Sequence, residues 1–146
     1  MLFTNIFTTA TLFLGLTSAY HQPVQPPSWG ALTRPDTAHP VTKGQPYRIT
    51  WDYKAPTKTV SLVLCRGPSN NCVSDPEPIE CGKSVDAKQG YLDWTPACFL
   101  PPGQANTNSG YGMLVIDDET GEFQYSMQFT LLANPAVCAS KQNFVA

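Results

Sequence analysis

Charge is scarce in this chain: Asp, Glu, Lys and Arg make up only 14% of its 146 residues, and the net charge is −2 with a pI near 5.5. No basic field is present to hold a phosphate backbone, so nucleic acid is not an expected partner. Histidine is scarcer still, limited to His21 and His39 in a proline-rich early segment. A serine nucleophile needs a base beside it, and no Gly-x-Ser-x-Gly elbow occurs, which argues against serine hydrolase chemistry. There is no Cys-x-x-Cys pair and no histidine near a cysteine, so the usual zinc ligand patterns are missing. The Asn-x-Ser/Thr sequon is absent too; Asn70-Asn71-Cys72 matches only its cysteine form. Internal repeats, coiled-coil heptads and convincing helical stripes are lacking, which removes the solenoid and helical-bundle classes.

What the chain does contain is turn chemistry and alternation. It has 14 prolines, 10 glycines and 42% hydrophobic residues, the balance of an ordered, turn-rich β domain. Between residues 123 and 131, apolar Phe123, Tyr125, Met127, Phe129 and Leu131 alternate with polar side chains, the period of a half-buried strand. Just upstream, residues 111–116 are almost unbroken apolar, as in a strand covered on both faces or lying centrally in a sheet. The polar turn between them contains Gly121, so the pair reads as an antiparallel hairpin. Further strands are expected at 47–51, where Ile49 and Trp51 alternate with polar residues, at 59–65, and at 90–94, with one short strand around 77–81. These elements indicate an all-β, antiparallel two-sheet sandwich of about seven strands, closed over Ile49, Trp51, Trp94, Met113 and Phe129.

Residues 1–16 carry no charged side chain and contain an apolar centre too short to span a bilayer, while Thr17 and Ala19 fit the −3 and −1 sites of signal peptidase. The expected organisation is a signal peptide over 1–19, a proline-rich entry segment over 20–40, the sandwich over 41–132 and a tail over 133–146. The end of the chain lacks the apolar stretch of a glycosylphosphatidylinositol signal, so export without a membrane anchor is expected.

The five cysteines, Cys65, Cys72, Cys81, Cys98 and Cys138, all follow the leader, where an oxidising compartment favours disulfides. Separation in the chain suggests Cys65 with Cys72 and Cys81 with Cys98. Cys138 is then unpaired in a monomer, or links two chains into a dimer. Asp117, Asp118, Glu119 and Glu122 crowd one turn, which reads as a solvated hairpin tip. A glycosidase needs two carboxyls held across a cleft about 5–9.5 Å apart, and a hairpin tip offers none. No enzyme activity and no cofactor are expected. Another reading, a copper protein holding the metal through an N-terminal His21, requires cleavage immediately before His21, whereas Ala19 is the better cleavage residue and leaves Tyr20 first. Trp29 and Tyr53, with Tyr20, fall outside the strand patterns and are the candidates for stacking on a sugar ring.

Gly44-x-Pro46-Tyr47-x-Ile49-Thr50-Trp51, Gly90-Tyr91-x-x-Trp94-x-Pro96, Tyr111 and Tyr125-Ser126-x-x-Phe129 together resemble the N-terminal domain of fungal cell-wall glucan-assembly proteins, a module shared with Ser/Thr-rich, lipid-anchored surface proteins. The resemblance covers roughly residues 32–132. It implies an immunoglobulin-like or fibronectin-like fold and a secreted, non-catalytic binding or structural role in cell-wall organisation and β-1,6-glucan assembly, with a wall polysaccharide or extracellular protein as partner. The chain departs from the usual module in having no Ser/Thr-rich stalk and in carrying additional cysteines. Those departures raise a second reading, an apoplastic effector that binds a host protein or wall glycan.

Overall fold

The computed structural model describes residues 20–68, 72–102 and 110–142; the expected leader and residues Asn70 and Asn71 lie outside them. In chain order the elements are β1 Leu32–Arg34, β2 Val41–Thr42, β3 Tyr47–Trp51, β4 Thr59–Arg66, β5 Val73–Ser74, the helical turn α1 Ile79–Gly82, β6 Val85–Asp86, a 3-10 turn Ala87–Gln89, β7 Tyr91–Trp94, β8 Tyr111–Asp117, β9 Phe123–Tyr125, β10 Leu131–Leu132 and helix α2 Pro135–Gln142. One sheet runs β1-β3-β7, and the facing sheet runs β5-β4-β8-β9 with β6 also paired to β4. All of these pairs are antiparallel. The short β2-β10 pair is parallel.

The β4-β8 ladder, paired from Val60↔Asp117 to Arg66↔Tyr111, is the spine. Val60, Leu62 and Leu64 of β4 and Tyr111, Met113 and Val115 of β8 face the first sheet, where they enclose Ile49, Trp51, Trp94 and Phe129. Phe129 sits edge-on to Trp94 and stacked against Tyr111. The opposite face of the same ladder carries a second buried cluster of Val63, Cys65, Leu114, Ile116 and Phe123. Because both faces are covered, β4 and β8 read as continuous apolar runs. The cover over the second face is the entry segment. Tyr20 packs on the cluster, Val24 N–H donates to the Gly121 carbonyl, and Ser28 and Trp29 N–H both donate to the Phe123 carbonyl.

Three sequence expectations change. Residues 123–131 do not form one alternating strand. The step from Leu114 to Tyr111 on β8 faces a step from Tyr125 to Phe129 that is one residue longer, which is a β-bulge. Ser126 fills it: its N–H donates to the Met113 carbonyl at 2.8 Å, and its hydroxyl accepts the Met113 N–H at 3.0 Å in place of a backbone carbonyl. The bulge inverts the side-chain phase, so Phe123 points into the outer cluster and Phe129 into the main core, while Tyr125 and Met127 are exposed. The strand expected around 77–81 is the helical turn α1, and the tail contains α2.

The third change concerns sulfur. The bridges are Cys65–Cys72 and Cys98–Cys138, the latter with Cα atoms 5.2 Å apart. Cys138 is therefore bonded, not unpaired, and Cys98 joins it instead of Cys81. Chain separation favoured the shorter loop, but α2 places Cys138 directly over the turn at Gly44, beside Cys98. The start of α2 is fixed there by the Asn134 side chain, whose Nδ2 donates to the Lys43 carbonyl. The Lys43 ammonium is itself buried and donates to the Cys98 and Leu100 carbonyls.

Candidate functional site

The loop leaving β3 and the turn before β7 meet at one end of the sandwich. Between them lies an open cleft of about 620 Å³, lined by Tyr53, Pro56, Lys58, Asp86 and Lys88 among others. Tyr53 is 38% exposed there. The Lys88 ammonium stands 6.0 Å from the Tyr53 ring centroid, within cation–π range.

Both walls are fixed from beneath. Trp29 Nε1 donates to Thr57 Oγ1 at 2.9 Å, and that hydroxyl donates to Asp117 Oδ2 at 2.8 Å. Asp117 Oδ1 accepts the N–H groups of Glu119 and Thr120, so the carboxylate joins the entry segment, the cleft loop and the hairpin turn. Burial alone would raise the Asp117 carboxyl, but the Glu119 amide, the Thr57 hydroxyl and the Thr120 contacts outweigh it and hold the group below the ordinary carboxylate value. Beside it, Lys54 Nζ bonds Glu122 at 2.8 Å and the Ser28 carbonyl at 2.9 Å. On the other wall, Trp51 Nε1 donates to the Ala87 carbonyl and the Ala87 N–H to the Lys58 carbonyl. Asp86 accepts the Lys88 N–H and closes the 3-10 turn.

The sequence candidates separate sharply. Tyr53 lines the cleft. Trp29 does not: it is 2% exposed, and its only polar atom is spent on Thr57, so it is a core residue and not a stacking platform. It lay outside any strand pattern because the chain crosses from the entry segment into the core there without forming a strand. Tyr20 is half-buried on the outer cluster and its hydroxyl donates to the Asp75 carbonyl. Asp117, expected on a solvated turn, is only 5% exposed and is the anchor of the cleft loop. Among the described residues no group of three or more His, Cys, Asp and Glu side chains is placed to hold a metal ion.

A second depression, of about 380 Å³, lies at the other end of β4. Its edge carries Phe99, 81% exposed, beside Glu77 and Glu80 and the Arg66–Asp75 ion pair. Sequence reasoning missed Phe99, Asp86 and Lys88, which sit in short turns or, for Asp86, at the end of the two-residue strand β6, where no periodicity marks a side chain's direction.

The family model for the Kre9/KNH-like N-terminal Ig-like domain matches residues 34–131, from the end of β1 to the start of β10. No curated protein and no solved structure matches the chain.

Proposed function

Since this chain belongs to the family of Kre9/KNH-like N-terminal Ig-like domains, which ties it to cell-wall glucan assembly, we propose that it is a secreted, non-catalytic module that binds cell-wall polysaccharide through the Tyr53 cleft. The observation that carries this reading is the pairing of an exposed tyrosine ring with a rigid polar surround. The exposed Tyr53 ring offers apolar surface for the C–H face of a pyranose, while Lys58, Asp86 and Lys88 supply donors and acceptors for its hydroxyls. Anchoring of the loop through Thr57 and Asp117 limits the entropy lost on binding. The cleft presents one carboxylate, Asp86, which supports a binding role over glycoside hydrolysis by a carboxyl pair.

Co-sedimentation of the mature chain with isolated fungal cell walls tests the proposal. Retention that falls sharply in Tyr53→Ala supports it; no retention, or equal retention of the variant, refutes it.

One observation favours a second reading, an extracellular effector that binds a protein. Phe99, with Glu77 and Glu80 beside it, has the form of an aromatic anchor with an acidic rim. Loss of a captured host protein on Phe99→Ala, with Tyr53→Ala unaffected, would decide for that reading.

A further inference from the structure

The charged groups that line the Tyr53 cleft differ in balance from those of the chain as a whole. The protein carries a net charge of −2, and the far depression brings Asp75, Glu77 and Glu80 together against Arg66 alone. The Tyr53 cleft instead brings Lys58 and Lys88 together against Asp86. These charges differ in how far they are committed. Lys54, just outside, is held by Glu122 and the Ser28 carbonyl. Lys58 has only a 3.4 Å contact with Glu119, and the two side chains are 78% and 63% exposed. A pair so exposed contributes little and exchanges readily. Lys88 leans over the Tyr53 ring, and one oxygen of Asp86 is engaged by the Lys88 backbone N–H.

A sugar stacked on Tyr53 would therefore meet two available ammonium groups at its rim. A neutral glucan offers them only hydroxyls. A carboxylate carried on the sugar ring would add ion-pair attraction to the hydrogen bond, which a neutral hydroxyl accepting from the same ammonium cannot supply. No arginine fork is present in the cleft to favour phosphate by bidentate bonding.

We propose that the Tyr53 cleft takes an acidic polysaccharide, a chain of pyranoses bearing uronate carboxylates, in preference to a neutral glucan. The proposal rests on the reading of this cleft as the polysaccharide site. Because the whole protein is anionic, binding to a polyanion has to come from a local feature and not from net charge.

Affinity electrophoresis or calorimetry tests it with four probes: de-esterified polygalacturonate, the same polymer fully methyl-esterified, a neutral β-glucan and a phosphomannan. The native chain should bind polygalacturonate at least tenfold more tightly than its methyl ester or the glucan, and binding should weaken as salt rises. Lys58→Gln with Lys88→Gln should remove that preference, and Tyr53→Ala should weaken binding to every polymer. All three side chains are exposed, so unchanged thermal melts confirm that the variants fold. Equal affinity for the methyl ester, tighter binding to neutral glucan, tighter binding to phosphomannan, or indifference to the double lysine variant would each overturn the proposal. If a neutral polymer wins but Tyr53→Ala still abolishes binding, the polysaccharide cleft stands and only the acidic preference falls. If isolated walls and all four polymers fail to bind, both fall.

Discussion

The sulfur of Cys65 lies 3.3 Å from where a β-carbon would stand on Gly112, with the sulfur of Cys72 at 3.6 Å. The first disulfide thus lies flat against the bare backbone of β8. The second bridge repeats the arrangement. The sulfurs of Cys138 and Cys98 would meet a β-carbon on Gly44 at 3.2 and 3.4 Å, and Gly44 also has φ +73°. Each bridge is therefore seated on a glycine, and the glycine and the bridge form one structural unit.

Gly44→Ala should destabilise the protein by about 1–2 kcal/mol from its left-handed backbone alone. Crowding against Val137 and the Cys98–Cys138 bridge adds to this. Gly112→Val should cost more than Gly112→Ala: a β-carbon already meets the Cys65 sulfur at 3.3 Å and asks the bridge to give slightly, and the larger side chain pushes it further from β8. Thermal melts of the three variants check the order.

Peptide mapping without reduction should recover Cys65 joined to Cys72 and Cys98 joined to Cys138. Replacing Cys98 and Cys138 by serine removes a cross-link across a sequence separation of 40. The expected loss is about 4 kcal/mol by loop-closure entropy. It should appear as a lower urea midpoint and as protease cleavage within α2. A map joining Cys81 to Cys98 would refute the packing of the C-terminal helix.

Thr57→Val leaves the Trp29 indole N–H and one Asp117 oxygen buried without their partner. Such orphaned groups cost about 1–3 kcal/mol. The same substitution should weaken polysaccharide binding although it leaves the Tyr53 ring intact, because the cleft loop loses its anchor. Urea unfolding and wall co-sedimentation, run on one preparation, separate the two effects.

The depressed carboxyl of Asp117 fixes a pH dependence. Its folded-state value lies below its unfolded one, so its contribution to stability is fully present above the ordinary carboxylate range near pH 4. That contribution disappears as pH falls through the lower folded value. Asp93, held low by its hydrogen bonds to Arg48, acts in the same direction but is exposed and screened by salt. Stability measured from pH 7 down to pH 2 should therefore drop below about pH 4, and Asp117→Asn should flatten part of that drop.

Much of the sandwich is legible in the sequence because its strands obey simple periods. Ile49 and Trp51 alternate with polar neighbours and are buried, as are Trp94, Met113 and Phe129. The unbroken run of β8 does report two covered faces. The sequence hides whatever depends on a distant partner. The bulge at Ser126 leaves the written alternation intact while inverting its meaning in space. Helix α2 has too weak an apolar stripe to announce itself, so the bond to Cys138 is invisible. Asp117 looks like any turn carboxylate until Thr57 arrives from the loop between β3 and β4. The cleft was legible only at Tyr53; Asp86 and Lys88 reach it through a 3-10 turn whose direction follows from the Ala87 and Trp51 hydrogen bonds.

Backbone amide chemical shifts of the isotope-labelled mature chain, followed during titration with soluble cell-wall polysaccharide fragments, test the placement of the binding surface most directly. The account predicts saturable changes confined to residues 53–59 and 86–90, lost in Tyr53→Ala. Changes centred on residues 77–80 and 95–100, or none at fragment concentrations that saturate whole-wall binding, would contradict it.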